Sequence, residues 1–389
     1  MRAAFHAPMK PPDHPVPSGD RRMARAFVEL LTSLGIEVEL AARFRSYDRA
    51  GDPARQARLG DAGLKLAERL VRRYRKRALQ ERPALWFTYH LYHKAPDWLG
   101  PTVSTALGIP YLVAEASLAR KQAAGPWAIG YHASRMALAR ADLVLAMTND
   151  DLPGLRPEVA APERLVLFPP FLDTGPFVVA SGQRAAARAR LAADWGLDPA
   201  RPWLLAVAMM RADVKRLSYQ LLARALAEIL DLDWQLVVVG DGEAKAEIEA
   251  MFAPLGAERV RFVGAVPPEA LPGIHAAADL MVWPACREAY GMALLEAQAA
   301  GVPVVAGAEG GVPDIVEHEA TGFLVAPRRP EALAAAARRL LAEPGLRHAM
   351  GQAARTRAVA RHDVAVAQGR LRAVLPAACL PGSVPCASA

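Results

Sequence analysis

The sequence predicts an α/β protein made of two doubly wound halves, each a parallel sheet flanked by helices. Three observations carry this. Short apolar runs of strand length alternate with longer segments whose apolar residues recur at helical spacing. The alternation pauses at "LVLFPPFLDTGPF" and restarts at "WLLAVAMM". The chain has 389 residues, 53% of them hydrophobic, which is enough for two cores of ordinary size. The expected division is 1–172, 173–366 and a helix end and tail at 367–389, with the join near 172 to 200.

"MRAAFHAP" reads as the first strand, and the proline-rich loop after it ends in Ser18-Gly19-Asp20. Helical spacing follows at Met23, Phe27, Leu30, Leu31 and Leu34, stopped by Gly35. "IEVELAAR", "ALWFTYH" (ending at His90), "IPYLVAEAS" and "DLVLAM" are the next strands. In the second half, "WLLAVAMM" is a strand and "RLSYQLLARALAEIL" a helix. "QLVVVGDG" is a strand and leads to a helix through Phe252. "RVRFVGAV", "LMVWPA", "PVVAGA" and "GFLVA" are further strands, and 331 to 376 is helical. Ligands of such sheets bind outside the carboxyl ends of the strands, so two facing halves place a site in the cleft between them.

The formal net charge of +7 suits anionic partners. Cys286, Cys379 and Cys386 form no disulfide framework and no CxxC metal pair. No apolar run approaches the ~18 residues of a membrane span, and "MRAAFHAPMKPPDHP" lacks the apolar core of a signal peptide. The expectation is a cytoplasmic protein. "LKLAERLVRRYRKRALQER" places Leu66, Leu70, Tyr74 and Leu79 roughly on one helix face among many basic residues. Residues 64–82 are therefore a candidate for peripheral attachment to an anionic inner membrane face, with a solvated basic helix as the alternative. No basic platform with interleaved aromatics points to nucleic acid.

The most informative stretch is "REAYGMALLEAQAAGVPVVA", from Arg287 to Ala306. It leaves the carboxyl end of an apolar strand and enters a helix near Gly291 and Met292, closed by Gly301. The free amides and dipole of that helix start favour an anion, and Gly291 has no side chain to block one. Glu288 lies in the loop. Glu296 lies just over one turn into the helix, and its side chain leans back toward the N-terminus. Phosphates on amides and hydroxyls on carboxylates suit a sugar nucleotide.

The segment "PACREAYGMALLEAQAAGVPVVAGAEGGVPDIVEHEATGFLV" resembles the donor-site region of GT-B retaining glycosyltransferases of family 4. The matching positions are Glu288, Glu296, Gly301-Val302-Pro303-Val304 and Gly310-Gly311. The likeness runs over 203 to 330. The N-terminal half matches by topology and by the Gly19 loop alone. It implies a GT-B fold of two Rossmann-like domains facing each other across a cleft, and a sugar transfer from a UDP-, GDP- or ADP-linked donor to an unknown acceptor. It also implies that Glu296 holds the ribose and Glu288 the transferred sugar. The Gly291 and Met292 amides, with Arg211 and Lys215, would hold the diphosphate, whose developing charge needs fixed positive partners. The Gly19 loop and Val266, in the base-binding strand region, would complete the donor contacts, and His90 would contact donor or acceptor.

Three departures stand out. Arg216 replaces a glycine common after the lysine, and Ala285 a serine common after the strand-end proline. The loop after the fourth strand reads "AEASLARKQAAG", with Glu115 and Ser117 where many members have a histidine. The resemblance implies a front-side or ion-pair route in which the leaving phosphate accepts the acceptor's proton, so no histidine base is required. Asp231-x-Asp233 precedes its strand, at the wrong end for a metal-diphosphate site, and no metal or other cofactor is expected. The rival readings are a catalytically silent sugar-nucleotide-binding or scaffold protein, and an epimerase on the same architecture. The intact Arg211, Lys215, Glu288 and Glu296 favour the transferase.

Overall fold

The computed structural model describes residues 1–16 and 18–376; Cys379, Cys386 and the tail lie outside the described residues. The chain divides into two compact units. The first comprises Met1–Pro169 and, among the described residues, 365–376, and the second Pro170–Val364.

The first unit holds a six-stranded parallel sheet: β1 (Arg2–His6), β2 (Glu37–Leu40), β3 (Leu85–Leu91), β4 (Tyr111–Ala116), β5 (Leu143–Ala146) and β6 (Leu165–Leu167). Its order is β2-β1-β3-β4-β5-β6. The last strand lies in "LVLFPPFLDTGPF", where the sequence reading saw the alternation pause, ahead of the join expected near 172 to 200. The second unit repeats the plan with β7 (Trp203–Val207), β8 (Gln235–Val239), β9 (Val260–Gly264), β10 (Leu280–Trp283), β11 (Val304–Gly307) and β12 (Gly322–Val325). Its order is β12-β11-β10-β7-β8-β9. Strands covered on both faces read as unbroken apolar runs, which is why β3, β5, β8 and β10 are buried almost throughout.

Each sheet starts in its middle and turns back on itself, which creates a switch point where neighbouring strands leave in opposite directions. The switch lies between β1 and β3 in the first unit and between β7 and β10 in the second. A buried carboxylate braces the first sheet. Asp97 accepts hydrogen bonds from the Thr88 hydroxyl at 2.5 Å, the Tyr111 hydroxyl at 2.9 Å and the Leu99 and Gly100 amides at 2.8 and 2.9 Å. Every such bond to a buried charge offsets its lost hydration.

The helical stretch of 331 to 376 is three helices, Pro330–Ala342, Pro344–His362 and Val364–Val374. Pro344 cannot continue the first of them. Leu172 and Asp363 pair where the chain enters and leaves the second unit, with Leu172 N donating to His362 O at 2.9 Å and Val364 N to Leu172 O at 2.9 Å.

The basic helix differs from its sequence reading. It spans Pro53–Arg75, and a separate turn at Leu79–Glu81 follows. Ala67, Leu70, Val71 and Tyr74 are buried in the unit's own core, while Leu79 lies off the helix and is 78% exposed. Arg73 and Arg77 grip Glu39 at 2.9 and 2.6 Å and stack on Tyr74. Most of the apolar face is therefore spent inside, and charge predominates outside, with Leu64 and Leu79 left exposed.

Candidate functional site

The second unit gathers most of the residues singled out in the sequence at the carboxyl ends of its strands. Lys215 lies in the first turn of the helix Val214–Ala227, whose N-cap Asp213 accepts from the Lys215 amide at 2.9 Å. Its Nζ reaches Glu288 Oε2 at 2.5 Å, with both side chains mostly covered. Trp283, the last residue of β10, lies beside this pair. The ammonium sits 5.6 Å from its ring centre, and its indole N–H points to Glu288 Oε2 at 3.4 Å. The pair thus spans the β7–β10 switch point. Arg211 is half-exposed on the same β7 loop and pairs with Asp213 at 3.2 Å.

Close backbone approaches hold these loops. A Cβ at Gly242 would lie 2.3 Å from Met210 O, and Met210 N donates to Asp241 O at 2.9 Å; Asp241-Gly242 is a turn that carries the Arg211 loop. A Cβ at Gly310 would lie 2.1 Å from Glu288 O. The glycine pair after β11 therefore lets that turn rest directly on the Glu288 loop. Ala285 and Arg287 in that loop have φ of 56° and 48°, a left-handed conformation that non-glycine residues rarely adopt.

Gly291 is the N-cap of the helix Met292–Ala299, at φ 77°, and no side chain caps that helix. Its first amides are left to solvent or ligand. Glu296 is only 1% exposed. It is paired with the equally buried His275, Nε2 to Oε2 at 3.3 Å, a partner the sequence reading did not name. Val266 follows β9 in a half-buried loop position at the same strand ends.

The first unit brings His90 and Gly19 to its own switch point. Gly19 opens the helix Gly19–Ser33, and a Cβ there would meet nothing within 4 Å, so local packing does not demand a glycine. Asp20 beside it lies 3.1 Å from His90 Nδ1, and Glu115 lies 3.6 Å from the same nitrogen. The β3–β4 ladder pairs Tyr89 with Ala114 and Leu91 with Ala116 and skips the step between. His90 and Glu115 stand there, with φ of 64° and 55°. Burial alone would lower the histidine's pKa, but Glu115 and Asp20 outweigh it and push it up to about 9. His90 is therefore an imidazolium at neutral pH and cannot serve there as a general base. The ligand atoms of Asp20, His90 and Glu115 lie within 4.8 Å of one another, a spacing that also suits a metal ion. Such an ion would have to displace that proton.

Asp231 and Asp233 sit ahead of β8 and are taken by Arg338 at 2.6 Å and Arg201 at 2.5 Å. No helix among the described residues is long and apolar enough to cross a membrane.

Two doubly wound sheets, each with polar residues gathered at its switch point, define a two-domain α/β protein of the GT-B fold. Solved structures share it. A sucrose-phosphate synthase from Thermosynechococcus elongatus superposes with a TM-score of 0.72 at 24% identity, covering 96% of this chain and 97% of that one. Anabaena HepE in complex with UDP gives 0.71 at 18%, covering 96% and 99%. Residues 191–357 match the family model described as glycosyl transferases group 1. A GDP-mannose-dependent alpha-(1-6)-phosphatidylinositol monomannoside mannosyltransferase of Mycolicibacterium smegmatis is 37% identical over 199 residues, 48% of this chain and 50% of that protein. The alpha-D-kanosaminyltransferase of Streptomyces kanamyceticus is 30% identical over 243 residues, 62% of each. The chain spans about half to three-fifths of the length of these curated relatives. The whole chain thus shares the GT-B fold, and its second unit is similar in sequence to glycosyl transferases group 1. The matched segment contains Arg211, Lys215, Val266, Glu288, Gly291, Met292 and Glu296, and leaves out Gly19 and His90.

Proposed function

We propose that the chain is a retaining glycosyltransferase of the family 4 kind, which moves a sugar from a UDP-, GDP- or ADP-linked donor to an acceptor. The observation that carries this reading is the Lys215–Glu288 pair at the β7–β10 switch point, beside a helix start that no side chain caps. Without donor, the ammonium and the carboxylate neutralise each other. A donor separates their tasks: a diphosphate oxygen takes Lys215, and a sugar hydroxyl takes Glu288. Arg211 and the Gly291–Met292 amides add positive partners for the diphosphate, and Glu296, fixed by His275, accepts from the ribose. Val266 lies along the base.

In the reaction the bond from the anomeric carbon to the donor phosphate breaks, and the acceptor oxygen bonds to that carbon on the same face. The acceptor's proton passes to the departing phosphate oxygen. The phosphate's growing charge falls on groups already positive and already in place, which is the economical way to stabilise it. His90, being charged, donates hydrogen bonds or offsets charge rather than removing a proton. No metal is assigned to the diphosphate, since Asp231 and Asp233 are engaged elsewhere. The reading is tested by calorimetry against a panel of UDP, GDP, ADP and their sugars. Binding of at least one, weakened in both Lys215→Ala and Glu296→Ala, is the expected result; no binding across the panel would refute it.

A further inference from the structure

The first unit carries a second polar cluster that the reading above does not use. It lies where the chain leaves β3 and β4, next to Asp20, His90 and Glu115. Lys94 holds its ammonium 4.4 Å from the ring centre of Trp127. His93 meets the same ring edge-on, with centroids 5.8 Å apart. Lys121 is exposed on the short turn Arg120–Gln122. Neither lysine has an acidic partner among the described residues, whereas Arg73, Arg77, Arg135 and Arg188 in this chain each hold a carboxylate within 3 Å. His93 Nδ1 is buried without a hydrogen-bond partner. Burial first, then Lys94 and Lys121, lower the pKa of His93 to about 4. Both ammonium groups therefore act on one small region, where Lys94 meets the Trp127 ring and neither lysine meets a carboxylate among the described residues. The helix Ala128–Arg140 adds little: its Ala128 and Gly130 amides already bond to Gly125 O and Gln56 Oε1, both at 3.0 Å. The positive field comes from side chains.

Tyr92 lies between the two clusters, its ring centroid 4.9 Å from His90 and 5.3 Å from His93. On one side are carboxylates suited to hydroxyl groups, and on the other cations without a carboxylate partner, suited to an anion. Resting on the transferase reading, we propose that the first unit binds an acceptor bearing both hydroxyls and a phosphate or carboxylate, the anionic group seated on Lys94 and Lys121 beside His93. A soluble sugar or polyol phosphate and the headgroup of an anionic lipid share that chemistry.

His93 reports on the site directly. In protein labelled at histidine and observed by NMR, with His93→Gln used for assignment, the ring's midpoint is followed in sodium sulfate and in sodium chloride of equal ionic strength. A divalent anion beside an imidazole favours its charged form, so sulfate should raise the midpoint by one pH unit or more. In the Lys94→Gln/Lys121→Gln variant the midpoint should start higher, because the lowering charges are gone, and should ignore sulfate. Lys94→Arg/Lys121→Arg should keep the response, which separates loss of charge from loss of fold. A midpoint equal in the two salts would overturn the proposal. Co-sedimentation with phosphatidylglycerol–phosphatidylcholine vesicles then separates the sources. Retention that the double Gln variant loses indicates a lipid headgroup, and a sulfate response without retention indicates a soluble acceptor. Neither arm uses a nucleotide sugar, so failure here leaves the donor reading standing, and failure of the donor panel leaves this site to be judged alone.

Discussion

Replacing Asp20 by Asn should pull the titration of His90 sharply downward. Asp20 Oδ1 lies 3.1 Å from His90 Nδ1 and Glu115 Oε1 lies 3.6 Å from it. Together these raise the ring's pKa from the ordinary 6.5 to about 9 against the cost of burial. At about 1.36 kcal/mol per pH unit, that is about 3 kcal/mol of preference for the protonated ring. The folded state binds this proton more tightly than the unfolded chain. Its contribution to stability is therefore complete below the unfolded value near 6.5 and is lost as pH rises through about 9. One opposing charge at this range typically accounts for about one to three pH units, so Asp20→Asn should move the midpoint to roughly neutral pH. The assay is an NMR titration of the His90 ring, paired with chemical denaturation at pH 6 and pH 10. The wild type should lose more stability over that interval than His90→Gln does. A wild-type midpoint at or below 6.5, or one that Asp20→Asn leaves in place, would refute the ion-pair account of this cluster.

Three further outcomes follow from the second unit. Glu296→Ala should cost about 1.5–3 kcal/mol for each hydrogen bond lost from its charged carboxylate, read by calorimetry with the best nucleoside diphosphate; unchanged affinity would remove it from the site. Glu288→Ala should depress turnover far more than nucleoside diphosphate binding, and the opposite pattern would mean that the two glutamates have exchanged roles. Lys215→Ala should lower the rate by roughly 10²-fold, as loss of one preorganised donor does, while EDTA leaves it nearly unchanged; activity abolished by EDTA and restored by magnesium or manganese would overturn the metal-free account.

Much of the architecture was legible because parallel strands covered on both faces spell unbroken apolar runs, as "LWFTYHL" and "QLVVV" do. Gly291 and Gly301 likewise mark the start and end of their helix at φ of 77° and 76°. The loop-to-helix step that places Glu288 and Glu296 was visible for the same reason, since caps are local. Partnerships between distant segments were not. Nothing near Glu296 names His275, 21 positions away, and nothing near Glu288 names Lys215, 73 away. The basic helix shows the same limit. Its apolar stripe was legible, but what covers it is a question about the rest of the core, and Glu39, which pairs with both Arg73 and Arg77, comes from β2.

The two units share a feature of backbone conformation. Six described non-glycine residues have clearly positive φ: His90, Glu115, Ala285, Arg287, Glu319 and Arg328. Four of them stand at carboxyl ends of strands, His90 and Glu115 one residue before the ends of β3 and β4, and Ala285 and Arg287 just after β10. Each costs on the order of 1 kcal/mol or more and persists only where its surroundings over-determine it. In the second unit the constraint is visible: the Gly310 turn rests on Glu288 O, and Ser218 Oγ accepts the Cys286 amide at 3.2 Å. In the first, the interrupted β3–β4 step leaves His90 and Glu115 side by side, where an unbroken ladder would have continued through them. A chain selected for stability alone would place glycine or asparagine at such positions, because those residues relieve the strain. A histidine and a glutamate stand at the β3–β4 step instead, joined in one ion cluster with Asp20. The strained positions of this step are thus held by charged side chains that meet in one ion cluster, and not by the residues that would relieve the strain.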